Sequence, residues 1–125
     1  MASGPMKRPV TVSSVQLIAQ CEYAHTSGGG WQYTGMHITV PSGMICLCSL
    51  TTSWVSGQPT GLGLDWDSSG SPRPRIGVTE TTNASMYQSP CILLSSGTYY
   101  HYAKRPAASD KNPYQIYGVF LPVTA

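Results

Sequence analysis

The stretch from Met36 to Leu50, MHITVPSGMICLCSL, constrains the fold of this chain more than any other part of it. Its first residues, Met36–Val40, alternate and are rich in β-branched side chains, which is typical of a strand. Pro41, Ser42 and Gly43 then carry turn chemistry, and the apolar run Met44–Leu50 is too short for an ordinary helix. The stretch therefore predicts two strands joined by a tight corner.

The second of these predicted strands is apolar on both of its faces. Successive side chains of a strand alternate across the pleat. One face therefore carries Met44, Cys46, Cys48 and Leu50, and the other carries Ile45, Leu47 and Ser49. An antiparallel sheet normally keeps one face polar and in contact with water. We therefore expect the second apolar face to be covered by another sheet, a long loop or another subunit.

The composition favours a single all-β domain. Charged residues make up 10% of the 125 residues, well below the roughly 25% of typical soluble domains. Glycine (13), proline (10) and tyrosine (8) are frequent, as expected for short strands between turns. We predict about eight or nine strands in a sandwich or barrel. Besides the opening pair, the predicted strands are Leu62–Trp66, Arg75–Thr82, Cys91–Leu94, Thr98–Ala103 and Gln115–Phe120, with Val10–Gln20 as a strand or extended arm and a short helix from Ser13 as its alternative.

The charge pattern argues against nucleic acid and membrane as partners. The net charge is only +2, and the basic residues form scattered pairs where a phosphate-binding surface needs a clustered basic face. No apolar run reaches the ~18 to 20 residues needed to span a bilayer, and no signal peptide is visible. We expect synthesis in a cytosol, where Cys21, Cys46, Cys48 and Cys91 stay buried thiols.

One segment partly matches a calcium loop. Asp65, Asp67 and Ser69 place oxygen ligands at alternate positions, and Gly70 stands where such a loop needs glycine. The bidentate glutamate that would complete the loop is missing, because the nearest acid, Glu80, comes four residues late. We interpret the segment as a solvated turn, with calcium binding as the weaker alternative, and expect no cofactor.

The sequence offers little for catalysis. Three histidines and five acidic residues are present, and no G-x-S-x-G nucleophile elbow occurs. We expect a protein that is not an enzyme, although a small hydrolase that depends on one histidine stays open as an alternative.

The aromatic residues are the best candidates for a recognition surface. Tyrosine and tryptophan combine a large contact area with a polar group, which suits protein interfaces and sugar stacking. We predict that some of them are partly exposed at a receptor or partner surface, namely Trp54, Trp66, Tyr100 and Tyr102.

Three segments in order, ITVPSGMICLCSL, CILLSSGTYYHYA and YQIYGVFLPV, carry a family resemblance. From Tyr33 to Val123 the chain resembles the small jelly-roll head domains at the tips of tailed-bacteriophage fibres and related virion appendages, which are similar to the tumour-necrosis-factor and C1q heads. The resemblance implies a jelly-roll β-sandwich and a homotrimer whose inner sheets pack around a threefold axis. The residues expected to line that interface are Met44, Cys46, Cys48, Leu50, Ile116 and Phe120.

The resemblance also implies a place in a virion. We expect residues 1–20 to form an extended N-terminal anchoring arm and residues 21–125 to form the head. The arm would dock on capsid or tail proteins through Met6, Lys7, Arg8 and Val10, and the head would contact a host-surface glycan. Fibre heads commonly follow a long shaft, and only about 20 to 30 residues precede the head here, so a compact appendage or capsid decoration protein fits better. The alternative is a freestanding carbohydrate-binding module.

Overall fold

Eight β-strands form the regular structure of the part of this chain that the structure describes. The computed structural model describes residues 15–25, 30–53, 59–69, 73–82, 87–104 and 111–123. The strands are β1 Gln16–Ala24, β2 Trp31–Val40, β3 Met44–Thr52, β4 Gly61–Asp65, β5 Ile76–Glu80, β6 Ile92–Leu94, β7 Gly97–Lys104 and β8 Lys111–Pro122. The prediction of an all-β chain is confirmed, and none of the described segments forms a helix that could cross a membrane.

The strands form two antiparallel sheets packed face to face. Sheet A has the order β1-β8-β3-β6 and sheet B the order β2-β7-β4-β5. Each strand of the first half of the chain pairs with one of the second half in reverse order: β1 with β8, β2 with β7, β3 with β6 and β4 with β5. Because side chains of both sheets form one core cluster, the predicted β-sandwich is confirmed.

The corner between β2 and β3 forms where the sequence predicts it. Gly43 has a φ of 81°, a left-handed conformation that glycine adopts without steric cost. The Met44 N–H donates to the Pro41 carbonyl over 3.2 Å. Because the chain reverses here, β2 enters sheet B and β3 enters sheet A.

The core lies between the sheets and is built by alternation along the strands. From sheet A, Cys46 and Leu50 are fully buried, and from sheet B, Leu62 and Leu64 meet them from the other side. β4 directs its leucines inward and its glycines outward, and the second sheet covers the face of β3 that carries Cys46, Cys48 and Leu50.

β1 is a strand and not a helix, and it belongs to sheet A along its whole length. Its pairing with β8 runs from Gln16 opposite Gly118 to Ala24 opposite Lys111. The predicted boundary between residues 20 and 21 falls inside this strand, so residues on both sides of it share one sheet. The predicted anchor residues Met6, Lys7, Arg8 and Val10 lie outside the described residues.

β8 begins earlier than predicted and includes a proline. Pro113 pairs with Glu22 of β1, while the pairing with β3 ends one residue later, at Tyr114 opposite Thr52. A proline cannot donate to a neighbouring strand. It is accommodated where β8 has only one paired neighbour, and its carbonyl accepts from the Thr52 hydroxyl at 2.7 Å.

Candidate functional site

The six residues predicted to line a subunit interface lie on the inner face of sheet A. Cys46, Leu50 and Ile116 are 0% exposed. The remaining three, Met44, Cys48 and Phe120, are buried or partly buried against the same core. The prediction is wrong for these side chains, because the register of β3 with β8 puts them on one face and sheet B covers that face.

The opposite face of sheet A carries the apolar surface that no part of the described chain covers. Leu93 is 63% exposed, Leu17 43% and Tyr117 39%. The strand register brings these side chains together, since Leu17 lies opposite Tyr117 and Leu47 lies between Val119 and Leu93. We call this surface the apolar face, and its members are Val15, Leu17, Leu47, Leu93, Tyr117 and Val119.

A groove of about 300 Å³ runs into the apolar face, and its walls are almost entirely apolar. The other end of the same sheet surface is polar: the Thr51 hydroxyl donates to Gln115 Oε1 at 2.8 Å, and Gln115 Nε2 donates to Ser53 Oγ at 3.1 Å. The outer surface of sheet A is therefore divided into a polar part and an apolar part. A contiguous exposed apolar patch beside polar residues is typical of an interaction site.

The cysteines are free thiols and differ in accessibility. Cys46 and Cys48 are buried, Cys21 is partly buried and Cys91 is exposed. Burial raises the pKa of the Cys48 thiol to about 12, so this thiol stays protonated and acts as a small core residue. The expectation of buried thiols is wrong for Cys91, which lines the groove of the apolar face.

The predicted receptor residues do not form one surface. Trp66 is 56% exposed and Tyr100 is partly exposed, but Tyr102 is 0% exposed. Tyr102 points to the outer side of sheet B, where the segment after β4 folds over it and the Asp67 carbonyl accepts its hydroxyl at 2.6 Å. Its assignment to a receptor surface is therefore wrong. Trp54 lies outside the described residues.

An aromatic cluster lies on the outer surface of sheet B. The Tyr33 ring is centred 5.6 Å from that of Tyr100 and 5.7 Å from that of Tyr102. The His37 ring follows at 5.9 Å from Tyr100. These separations lie in the range of favourable aromatic pairs. Burial, and then the neighbouring Tyr100, raises the pKa of Tyr33, so its hydroxyl stays neutral.

The acidic residues of the partial calcium loop bind other groups of the protein. Asp65 is fully buried and accepts from Arg75 through two bonds, Nε to Oδ1 at 2.8 Å and Nη2 to Oδ2 at 2.9 Å. Asp67 Oδ1 accepts from the Ser69 amide at 2.8 Å and from its hydroxyl at 2.7 Å. The hydrogen bonds from Arg75 hold the pKa of Asp65 below its usual range against the effect of burial.

Two of the predicted calcium ligands thus have partners within the chain, Asp65 in Arg75 and Asp67 in Ser69. Within the described ranges, no three side chains of the His, Cys, Asp or Glu type come close enough together to hold a metal ion.

Two of the three histidines are in the core and cannot meet a substrate from solution. His101 is fully buried and its Nδ1 lies 2.9 Å from the Thr34 hydroxyl. Burial, with a smaller effect from His25, lowers the pKa of His101 to about 3. His25 is buried beside Tyr114, with Nε2 2.6 Å from its hydroxyl. These groups form a polar cluster inside the sandwich, and its position gives it a structural role.

Sequence reasoning missed the members of the apolar face other than those on β3. The signal was present in the alternation of β8, where Tyr117, Val119 and Leu121 form a second apolar set beside Ile116 and Phe120. Choosing between the two sets required the register of β8 against β3.

No protein-family model and no curated protein sequence matches this chain.

Proposed function

We propose that this chain is a structural virion protein of a tailed bacteriophage, without enzymatic activity. It would form a small trimeric appendage, either a fibre head or a capsid decoration. Residues 1–20 would dock it on capsid or tail proteins, and its head would contact host-surface glycans.

The strand order supports the jelly-roll part of this proposal. A jelly roll winds eight strands into two sheets through two Greek keys. The nested orders β1-β8-β3-β6 and β2-β7-β4-β5 are what such winding gives. The same orders agree with the resemblance to fibre heads and to tumour-necrosis-factor and C1q heads.

The apolar face is the observation that carries the proposal. Val15 is 65% exposed and Leu93 63%, and they stand on one sheet surface with Leu17 and Tyr117. Covering a fully exposed leucine contributes about 1.5–3 kcal/mol, so shielding several such side chains in each copy favours assembly. We propose that copies of this chain cover the apolar face, which places the interface on the outer face of β3.

Light scattering of the isolated full chain tests the assembly. We expect a mass three times that of the 13.4 kDa chain. The double variant Leu17→Lys with Leu93→Lys places two ammonium groups in each interface and should be a folded monomer. Gln20→Lys is the matched control, because Gln20 is exposed on the polar part of the same sheet surface and should leave the trimer intact. A wild-type chain that stays monomeric at high concentration would contradict the proposal.

A freestanding carbohydrate-binding module is the second candidate, and the aromatic cluster of Tyr33, Tyr100 and His37 favours it. The two functions differ in what assembly contributes. A binding module should bind glycan as a monomer and show no association with phage particles. An appendage should be trimeric and should co-sediment with particles only when residues 1–14, the part of the proposed arm that lies before β1 and the apolar face, are present.

A further inference from the structure

One cross-strand row of sheet B combines a flat aromatic ring with a polar pocket. Trp31 of β2 lies opposite Lys104 of β7, Lys104 lies opposite Gly61 of β4, and Gly61 lies opposite Glu80 of β5. All four residues belong to the outer surface of the sheet. The row therefore places an indole, an ammonium group and a carboxylate in line across the strands.

The glycine in this row allows the indole to lie against the sheet. A Cβ atom at Gly61 would stand 2.5 Å from Trp31 Cη2 and 2.9 Å from Trp31 Cζ2, so the six-membered ring of the indole covers the glycine. Only a residue without a side chain leaves this space. The Trp31 side chain is only partly buried, so part of the indole stays accessible to a ligand.

A pocket of about 500 Å³ opens at the Lys104 and Glu80 positions of this row. Its lining consists of hydroxyl and charged side chains, namely Thr60, Glu80, Thr81, Thr82 and Lys104. Backbone bonds hold its wall in place: the Thr60 amide donates to the Lys104 carbonyl at 2.6 Å, and the Thr81 amide donates to the Thr60 carbonyl at 2.8 Å.

The carboxylate of Glu80 is oriented by two cations. Arg73 Nη2 donates to Oε2 at 2.8 Å and Lys104 Nζ donates to Oε1 at 3.3 Å. The bond from Arg73, followed by the bond from Lys104, lowers the pKa of Glu80, so it is ionised at neutral pH. A carboxylate has about four acceptor positions, and these two bonds leave acceptor capacity on both oxygens for hydroxyl groups of a ligand.

We propose that this row is a carbohydrate-binding site and that its ligand is a pyranose ring. The apolar C–H face of the sugar would stack on the accessible part of the Trp31 indole. Two adjacent hydroxyls of the sugar would donate to Glu80, and Lys104 would donate to a sugar oxygen. This inference deepens the glycan-contact part of the proposed function and rests on it, and it moves that contact away from Trp66 and Tyr102.

The arrangement fits a sugar better than it fits a structural ion pair alone. An exposed ion pair contributes little to stability, and both Arg73 and Lys104 are more than a third exposed in their side chains. Ligand sites commonly combine an apolar surface with a few placed polar groups. Here the aromatic surface and the polar groups occupy neighbouring positions of one strand row.

Titration of the ¹⁵N-labelled full chain tests the site. The probes are methyl β-D-galactopyranoside, methyl β-D-glucopyranoside and methyl β-D-glucuronide at millimolar concentrations. We expect at least one probe to shift the Trp31 indole signal together with the amide signals of residues 60–61, 80–82 and 104. Trp31→Ala should raise Kd at least about tenfold, Glu80→Gln should raise it several-fold, and Trp31→Phe should keep part of the affinity because it keeps a flat ring.

Tyr87→Ala is the control, since Tyr87 is an exposed aromatic residue beside sheet A, and it should bind like the wild type. Shifts that map to Trp66 and persist in Trp31→Ala, or no shifts with any probe, overturn this inference. Light scattering of the same samples separates the proposals: a trimer without sugar binding removes the site alone, and a monomer that binds through Trp31 removes the trimeric appendage alone.

Discussion

Replacing Asp65 by Asn tests how the loop between β4 and β5 is held. The Asp65 carboxylate is fully buried and accepts four bonds, two from the Arg75 side chain at 2.8 and 2.9 Å, one from the Arg75 amide at 3.1 Å and one from the Asp67 amide at 3.2 Å. The guanidinium also stacks on Trp66, with Cζ 4.0 Å from the ring centroid. One carboxylate thus organises the whole start of this loop.

The size of the effect follows from these contacts. Removing one partner of a buried ion pair costs about 3–5 kcal/mol, and net hydrogen bonds to charged groups are worth about 1.5–3 kcal/mol. The Arg75 side chain is 47% exposed, so water recovers part of the loss when the charge on residue 65 is removed. We therefore expect Asp65→Asn to lower the free energy of unfolding by about 2–3 kcal/mol.

Urea unfolding followed by tryptophan fluorescence at a fixed chain concentration measures this change. Arg73→Gln is the matched control, because it breaks an ion pair whose side chains are 61% and 34% exposed and should cost below about 1 kcal/mol. If Asp65→Asn cost no more than Arg73→Gln, burial of the carboxylate would not stabilise the loop, and the reasoning would be refuted.

Three further predictions concern titration and thiol reactivity. The pKa of His101 lies near 3 in the folded chain, below its ordinary value of 6.5. Between these two pH values the unfolded chain binds the extra proton, so the free energy of unfolding should fall as the pH drops from about 6.5 towards 3. His101→Gln should flatten this part of a plot of unfolding free energy against pH, and an unchanged slope would contradict the assignment. The pKa of Asp65 is also lowered. The stabilising effect of its carboxylate is therefore complete above the unfolded pKa of about 3.9 and is lost at still lower pH. The wild type should lose stability in this acidic range, and Asp65→Asn should not show that loss. In a titration of the monomeric variant Leu17→Lys with Leu93→Lys with a thiol-reactive dye, Cys91 should react first and Cys46 and Cys48 only on unfolding, because Cys91 is exposed and the other two thiols are buried. Burial also raises the pKa of both buried thiols. Equal rates for all of them would contradict the core assignment.

The alternation of side chains along β3 could be predicted from the sequence, but which of its two faces points into the core could not. Alternation of Met44, Cys46 and Cys48 against Ile45 and Leu47 is a local property of the strand, and the structure has it. Which set faces the core depends on how sheet B closes over sheet A, and this follows from pairings such as β3 with β8. An apolar residue on either face gives the same local signal, so the sequence alone does not predict that sheet B covers the face of Cys46 and Leu50.

The polar and aromatic contacts could not be predicted for the same reason. Tyr102 lies on the outer side of sheet B but is covered by a loop about 35 residues earlier in the sequence. Within the predicted solvated turn, Trp66 and Ser69 are exposed, but Asp65 is buried. Its bond to Arg75 needs the loop to return to the end of β4. The Trp31 ring can lie against the sheet only because Gly61 has no side chain. Both Trp31 and Gly61 pair with Lys104, one on each side of β7. Each contact depends on register between strands that are distant in sequence.

The positions of the two surfaces predict that assembly raises the avidity for a glycan-coated surface without changing the affinity of each site for one sugar. The apolar face belongs to the outer side of sheet A and the Trp31 site to the outer side of sheet B, so copies that cover the first surface leave the second exposed. An open site of this kind should bind a single sugar weakly. Three such sites in the proposed trimer would raise the avidity for a polyvalent surface by about 10²–10⁴.

The double variant Leu17→Lys with Leu93→Lys separates these effects, because both substitutions lie on the opposite sheet from Trp31. It should keep the wild-type Kd for a methyl pyranoside in solution and lose retention on a glycan-coated surface by about that factor. Retention of the monomeric variant at the wild-type level would show that each head binds strongly alone, which is the behaviour of a freestanding binding module. Loss of the solution affinity as well would show that the Trp31 site needs a neighbouring copy, and the two surfaces would then not be independent.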